Sequence, residues 1–286
     1  MKNSSTPNIP TLMRHATDYL RGKGVEKSRH VAWELLSKLL NIKSIEFCLE
    51  NDYVIEGANL ETYLAWIERR GMGEPFEYIV GEVDFLSCSL RTTPGVFIPR
   101  QETEILAALI LEDISEVRGG TLWDLCAGGG CLGLSLKKER PDLRVTLSDL
   151  YEEPIACAKH NAIENALDVA IVQGDLLKPF SGKKADIIVC NPPYVTEEEY
   201  ALLANSVRLY EPRESLLGGL SYYVSLAEEL PAYLKPRARI FFEIGKDQGW
   251  DLHQIFGAGH WRQKQCRKDW AGHDRFFSLE FNKNPE

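Results

Sequence analysis

Two rhythms of apolar residues divide the chain. Up to about Arg70 they recur with a period near 3.6, which predicts amphipathic helices. In "VAWELLSKLL" (Val31–Leu40), Val31, Leu35, Leu36, Leu39 and Leu40 share one stripe. In "LETYLAWIERR" (Leu60–Arg70), Leu60, Leu64 and Ile67 do the same. The stretch from about Ile9 to Arg70 therefore reads as short helices in a small bundle. "GMGEP" (Gly71–Pro75) breaks that pattern. "YIVGEVDFLSCSLRTT" (Tyr78–Thr93) predicts a hairpin or a pair of short strands.

From about Gln101, strand-like runs alternate with helical stretches. "TEILAALILEDI" is helical, "TLWDLC" (Thr121–Cys126) a strand, "CLGLSLKKE" a helix and "RVTLSDL" (Arg144–Leu150) a strand. "EPIACAKHNAIENA" follows as a helix with Pro154 near its first turn, where a missing N–H costs nothing. "VAIVQGD" and "ADIIVCN" are strands, "SYYVSLAEELPAYL" a helix, "RARIFFEIG" a strand and "DQGWDLHQIF" a helix. "WRQKQCRKD" and "DRFFSLEF" close the chain as a strand pair. Such alternation predicts an α/β domain with a parallel sheet covered by helices on both faces. The expected organisation is a helical bundle over 1–72, a linker hairpin over 73–95 and an α/β domain over 96–286. Ligands of such sheets bind outside the carboxyl ends of the strands, where strand order reverses.

Composition adds boundaries. The apolar fraction of 44% and charged fraction of 26% are ordinary for a globular protein. The apolar run "ILAALIL" (Ile105–Leu111) is far short of the ~20 residues that span a bilayer. "MKNSSTPNIP" lacks the apolar core of a secretory signal. Seven cysteines, an odd count without a CxxC pair, favour reduced thiols in a cytoplasm over a disulfide frame or zinc site. The net charge is −9, and residues 1–80 hold only −1 of it (10 Lys/Arg against 11 Asp/Glu). An acidic chain is a poor general binder of nucleic acid. Arg262, Lys264, Arg267, Lys268 and Arg275 form a local basic cluster, which a solvated strand face also explains.

The candidate chemistry follows the strands. After the first comes "DLCAGGGCLG", where Gly128, Gly129 and Gly130 let the backbone approach a ligand closely. Gly128, Gly130 and Gly133 match a dinucleotide fingerprint only loosely, and a plain structural turn is the alternative. After the second comes Asp149, placed to accept hydrogen bonds from both hydroxyls of a ribose, or else to cap the next helix. After the third comes Gly174-Asp175-Leu176; Asp175 or its backbone suits an adenine amino group and Leu176 the ring face, while a simple turn is equally open.

After the fourth comes Asn191-Pro192-Pro193-Tyr194. An –NH2 conjugated to a carbonyl or an aromatic ring is a poor nucleophile, because its lone pair is delocalised. A site that accepts both of its N–H bonds favours a pyramidal nitrogen with the lone pair aimed at an electrophile. The Asn191 side-chain oxygen is one acceptor and the Pro192 carbonyl a second. Prolines offer no competing N–H and stiffen the loop, which preorganises the acceptors. Tyr194 supplies a face for stacking on a planar group. A rigid strand-ending turn is the structural alternative.

Together these residues resemble the S-adenosylmethionine-dependent amino-methyltransferases. "GEPFEYIVGEVDF" (Gly73–Phe85), "FIPRQETEIL" (Phe97–Leu106), "EPRESLLGG" (Glu211–Gly219), "FEIGKDQG" (Phe242–Gly249) and "KDWAGHDRF" (Lys268–Phe276) narrow the resemblance to the HemK/PrmC family, over nearly the whole chain after about residue 30. The resemblance implies a Rossmann-like class I methyltransferase sheet with a small helical N-terminal domain that helps recognise the substrate, joined by a short β-hairpin. It implies methylation of the glutamine side-chain nitrogen (N5) in the GGQ loop of class-1 peptide chain release factors, in the cytoplasm, with S-adenosylhomocysteine as product and neither membrane nor direct nucleic acid as partner. Cys126, Ala127, Gly128, Gly129 and Gly130 then border the amino acid and ribose portions of the cofactor. Asp149 holds the ribose, Asp175 and Leu176 flank the adenine, Phe97 closes one wall, and Asn191 lies by the methyl group. Asn191, Pro192, Pro193 and Tyr194 are the expected catalytic loop, and no metal is expected. Glu77 and Tyr78 read as packing residues. Arg100, Glu102 and Arg213 read as loop-fixing ion pairs or ligand contacts.

Cys126 departs from the family pattern, standing where a glycine is expected. An L-residue held there at positive φ costs of order 1–2 kcal/mol. Three alternatives remain at this level: a ribosomal-protein glutamine methyltransferase, an exocyclic-amine methyltransferase on DNA or RNA, and a non-catalytic module that kept the fold. A nicotinamide-dependent dehydrogenase explains the glycines and Asp149 but leaves the prolines unexplained.

Overall fold

A computed structural model describes residues 8–42 and 55–283. The helical expectation over 43–54 lies outside the described residues. Two compact units are present: residues up to Gly81 together with Ala204–Tyr210, and Glu82–Leu203 together with Glu211 onward.

The first unit is helical. Helix α1 (Ile9–Gly22) is capped by Asn8, whose side chain accepts from the Thr11 N–H at 3.1 Å. Helices α2 (Ser28–Leu40) and α3 (Gly57–Gly71) pack with it around Leu12, Leu20, Leu35, Leu36, Tyr63 and Ile67. Leu64, expected on the α3 stripe, is 50% exposed. The buried face runs through Leu60, Tyr63 and Ile67 instead, because the Tyr63 hydroxyl finds a buried acceptor in the Ala32 carbonyl at 3.0 Å. Phe76–Val80 forms a short helix, α4, so residues 78–80 are helical where the expected hairpin or strand pair was to begin. Pro75 in extended geometry starts it, and Gly81 at φ +85 ends it. Tyr78 is buried, and its carbonyl accepts from Arg69 at 3.2 Å.

In the second unit, β1 (Glu82–Phe85) and β2 (Cys88–Arg91) form an antiparallel hairpin. Seven strands make the main sheet: β3 (Thr121–Leu125), β4 (Arg144–Asp149), β5 (Ala170–Gln173), β6 (Ala185–Cys190), β7 (Leu234–Glu243), β8 (Trp261–Lys268) and β9 (Asp274–Phe281). Their order is β5-β4-β3-β6-β7-β9-β8; β3 to β7 are parallel and β9 runs antiparallel to both neighbours. This is the expected Rossmann-like methyltransferase arrangement. Strand order reverses between β3 and β6, so the ends of β3, β4, β5 and β6 open on one edge.

Alternation along the strands feeds two cores. Leu122, Ile187, Val189 and Phe241 face α5 (Gln101–Asp113), α6 (Cys131–Glu139) and α7 (Glu152–Glu164). Trp123, Leu125, Ile188, Ile240 and Phe242 face the other way, against α10 (Ser221–Glu229) and α11 (Gly249–Ile255). Trp123 stacks on Phe180 with ring centroids 4.1 Å apart; each such buried ring contributes roughly 1.5–3 kcal/mol.

Two helices, α8 (Glu197–Leu202) and α9 (Asn205–Tyr210), fall where no helix was expected. The start of α8 is a capping box: Glu199 N–H donates to Thr196 Oγ1 (3.2 Å), and Thr196 N–H donates to the Glu199 carboxylate (3.0 Å). The predicted helix over 221–234 stops at Glu229, since Pro231 cannot continue it. Strand β7 then begins at Leu234 and accommodates an irregularity around Arg237, which has φ +65. The basic cluster is largely neutralised by carboxylates: Arg267 by Asp113 (3.1 Å), Lys268 by Asp274 (3.3 Å) and Arg275 by Asp269 (3.3 Å). Among the described residues no helix is long and apolar enough to cross a membrane.

Candidate active site

The carboxyl edge of the sheet opens into a cleft with about 990 Å³ of empty space, open solvent included. Its walls bring together Phe97, Cys126, Ala127, Gly128, Gly129, Asp149, Asp175, Leu176 and Asn191–Tyr194. Of the residues expected there, Gly130 does not line the cleft. A Cβ at Gly130 would stand 2.9 Å from both Leu134 and Leu147, so its bareness serves the fit of α6 against β4.

The turn after β3 is built from backbone contacts and two polar side chains. Gly128 N–H donates to Asp149 Oδ2 at 2.8 Å, and Tyr151 N–H donates to Asp149 Oδ1 at 3.1 Å. Burial pushes the Asp149 carboxyl above its usual pKa despite these bonds. Asn161, fully buried on α7, donates to the Gly129 carbonyl (2.9 Å) and accepts from Arg91 N–H (2.7 Å). It ties the glycine turn to β2, and its mid-helix position in "KHNAIENA" was the overlooked sequence sign.

Cys126 has φ +55. The left-handed conformation that suits a glycine is therefore occupied here by an L-residue, at a cost of order 1–2 kcal/mol. Leu176, opposite, has φ +44. Asp124 lies behind the turn, where its Oδ2 accepts from Gly133 N–H at 2.8 Å. Burial, helped by the charge of Asp149 and opposed by the Gly133 bond, pushes its carboxyl up to about 7.

The loop after β6 is clamped from two sides. Val195 N–H donates to the Leu216 carbonyl (2.9 Å), and Gly218 N–H donates to the Val195 carbonyl (3.1 Å). Gln248 Nε2 donates to the Tyr194 carbonyl at 3.1 Å. Asn191 is half-buried; its Nδ2 donates to Thr103 Oγ1 at 3.4 Å, leaving Oδ1 as the acceptor for the cleft. The Tyr194 hydroxyl donates to Glu243 Oε1 at 3.0 Å, and burial drives its pKa far above the usual phenol value.

Arg100 is paired with Glu211, whose other oxygen accepts from Ile98 N–H at 3.3 Å. The Arg100 guanidinium also lies over the Phe97 ring, 5.0 Å from its centroid, and so steadies that wall. Arg213 is bound by Glu197 at 2.7 Å. Cleft residues that sequence reasoning missed include Leu150, Tyr151, Glu214, Ser215, Leu216 and Tyr222. Leu150, Tyr151 and Leu216 come from turns and Glu214 and Ser215 from one short helical turn, with no periodicity to read, while Tyr222 lies in the first turn of α10. Leu150 and Tyr151 are 46% and 39% exposed, an apolar pair at the cleft mouth.

Residues 11–81 match the family described as PrmC N-terminal domain, and residues 87–216 match Methyltransferase small domain. The release factor glutamine methyltransferase of Chlamydia trachomatis serovar D is 39% identical over 277 residues, covering 96% of this chain and 94% of the relative. That of Thermodesulfovibrio yellowstonii is 34% identical over 259 residues, covering 88% and 92%. Among solved structures, a methyltransferase from Pyrococcus furiosus superposes with a TM-score of 0.52 at 17% identity, over 69% of this chain and 89% of that one. That likeness speaks to fold alone. Identity of 39% sustained over 96% of the sequence speaks to descent, and the chain belongs to the family of release factor glutamine methyltransferases.

Proposed function

We propose that this chain transfers a methyl group from S-adenosylmethionine to the side-chain nitrogen of the glutamine in the GGQ loop of class-1 peptide chain release factors. One observation carries the reading. Asn191 spends its amide nitrogen on Thr103 at 3.4 Å and keeps its oxygen for the cleft. A carboxamide substrate needs an acceptor there.

The cleft suits the cofactor. Nothing lies within 4 Å of where a Cβ at Gly128 would stand, so a ligand can rest on that backbone. Asp149 is held by two backbone N–H groups with lone pairs to spare for ribose hydroxyls. Leu150, Tyr151 and Leu176 offer apolar surface to a purine, with Asp175 beside them. When bound, S-adenosylmethionine supplies an electrophilic methyl carbon on a sulfonium and is released as S-adenosylhomocysteine.

The protein's own part is orientation. Asn191 Oδ1 and the Pro192 carbonyl accept the two N–H bonds of the glutamine amide, and Tyr194 stacks on its plane. With both N–H bonds accepted by Asn191 and Pro192, the glutamine nitrogen would present its lone pair to the methyl carbon that the cofactor would supply. The methylated nitrogen then sheds a proton to water, so no general base is required. The helical unit serves release-factor recognition, in keeping with the N-terminal family match. Cys126 and Cys190 lie side by side as free thiols, which fits a reducing cytoplasm.

The test is transfer of labelled methyl to a purified release factor, with a GGQ-to-GGA variant and oligonucleotides in parallel. Label on the GGQ protein alone is expected. Label on the GGA protein or on nucleic acid overturns the reading.

A further inference from the structure

Glu243 is fully buried at the end of β7 and does not line the cleft. A buried carboxylate costs several kcal/mol unless it is well satisfied, and an apolar residue in its place is often no less stable. Its surroundings show what the charge does. Oε2 accepts from the Thr103 hydroxyl at 2.7 Å, and Oε1 accepts from the Tyr194 hydroxyl at 3.0 Å. Arg275 joins at the Tyr194 oxygen (3.5 Å) while paired with Asp269. The backbone of Glu243 is pinned as well, its carbonyl accepting from the Tyr223 hydroxyl at 2.7 Å.

Proton counting gives this network a direction. Burial pushes the Glu243 carboxyl pKa up, and the Thr103 and Tyr194 hydroxyls and Arg275 oppose that push. As the carboxylate it only accepts, so Thr103 spends its single proton on Glu243. The Thr103 oxygen is then left only as an acceptor, and it takes a proton from Asn191 Nδ2 at 3.4 Å. A flipped Asn191 amide would set Oδ1 against that lone pair. We propose that Glu243 is a positioning residue for methyl transfer, which through Thr103 holds the Asn191 amide with its oxygen toward the cleft and through Tyr194 anchors the loop. The inference rests on the proposed transfer to a glutamine amide.

Glu243→Gln probes the polarity directly. Arg275 donates to the Tyr194 oxygen at 3.5 Å, which favours the tyrosine continuing to donate to position 243. The glutamine nitrogen therefore faces Thr103, whose proton turns to Asn191 and draws Oδ1 inward. Thr103→Val removes the relay at nearly constant shape, and Thr103→Ser restores it.

The readouts are single-turnover methyl transfer to the GGQ release factor, cofactor Kd by calorimetry, and hydrogen exchange of the Asn191 side-chain amide in asparagine-labelled protein. Glu243→Gln and Thr103→Val should slow transfer about 10- to 100-fold, the scale of a misplaced reacting group. Release-factor KM and cofactor Kd should change less than about 3-fold, and Thr103→Ser should recover most of the rate. Faster Asn191 amide exchange in Thr103→Val, with Thr103→Ser like the wild type, is expected whatever the substrate. Unchanged transfer, or unchanged exchange in Thr103→Val, overturns the proposal. If the wild type fails to label the release factor, the glutamine reading falls, and the exchange measurement alone decides whether Thr103 positions Asn191.

Discussion

Gly218→Ala should damage methyl transfer far more than cofactor binding. A Cβ at this position would stand 2.2 Å from the Pro193 carbonyl oxygen and 2.7 Å from the Tyr222 ring. Real Cβ contacts stay beyond 3.0 Å, so backbone and methyl must separate by at least 3.0 − 2.2 = 0.8 Å. The ring can swing aside. The carbonyl cannot, because Val195 is hydrogen-bonded to Leu216 and Gly218 on that same segment (2.9 and 3.1 Å). The strain therefore passes into the Asn191–Tyr194 loop. A displacement near 1 Å at a reacting group costs about 100-fold in rate, or roughly 2.7 kcal/mol in the barrier. The assay is single-turnover transfer to a GGQ release factor, beside cofactor titration and a thermal melt. Gly219→Ala is the control: its φ of +55 makes alanine strained, but nothing lies within 4 Å of the added methyl. It should cost of order 1–2 kcal/mol of stability and little rate. Transfer by Gly218→Ala within about 3-fold of wild type, or equal losses in both variants, would refute the clamp.

Asn191→Ala should abolish transfer yet leave cofactor affinity near normal by calorimetry. Asp149→Ala should instead weaken cofactor binding at least about 100-fold, since each of its two hydrogen bonds, made by a charged group, is worth roughly 1.5–3 kcal/mol. Cys126→Gly relieves a residue at φ +55; about 1–2 kcal/mol of relief is partly offset by the looser unfolded glycine, so the melt should rise slightly and cofactor affinity should not fall. Asp124 has a native pKa of about 7, raised from 3.8. Its contribution to stability is complete below the unfolded value and fades as pH rises through about 7. A cationic cofactor favours the ionised form, so cofactor should raise the melting temperature more at pH 8 than at pH 6, and Asp124→Asn should flatten that difference.

Much of this architecture is legible in residue order, because period and punctuation are local properties. The alternating strands and helices after Gln101, the glycine turn, Asp149 and the Asn191–Tyr194 loop all sit at strand ends, and a parallel sheet collects strand ends on one edge. The local rules failed where a distant partner outweighed them. Tyr63 displaced Leu64 from the buried face because Ala32 offered its hydroxyl an acceptor. Residues 78–80, read as the start of a hairpin, turned helical between Pro75 and Gly81, both legible.

By itself, then, the sequence determined the fold class, the edge on which the chemistry lies and the chemical types assembled there. Only the tertiary structure decided how those groups point. Glu243, Thr103 and Asn191 are brought together across 140 residues of chain, and Thr103 meets Glu243 at 2.7 Å. The left-handed backbone of Cys126 and the bare face of Gly218 are likewise set by packing. A hydrogen bond's direction depends on which neighbour takes each proton, and for buried side chains that neighbour is chosen by packing of the sheet rather than by proximity in sequence.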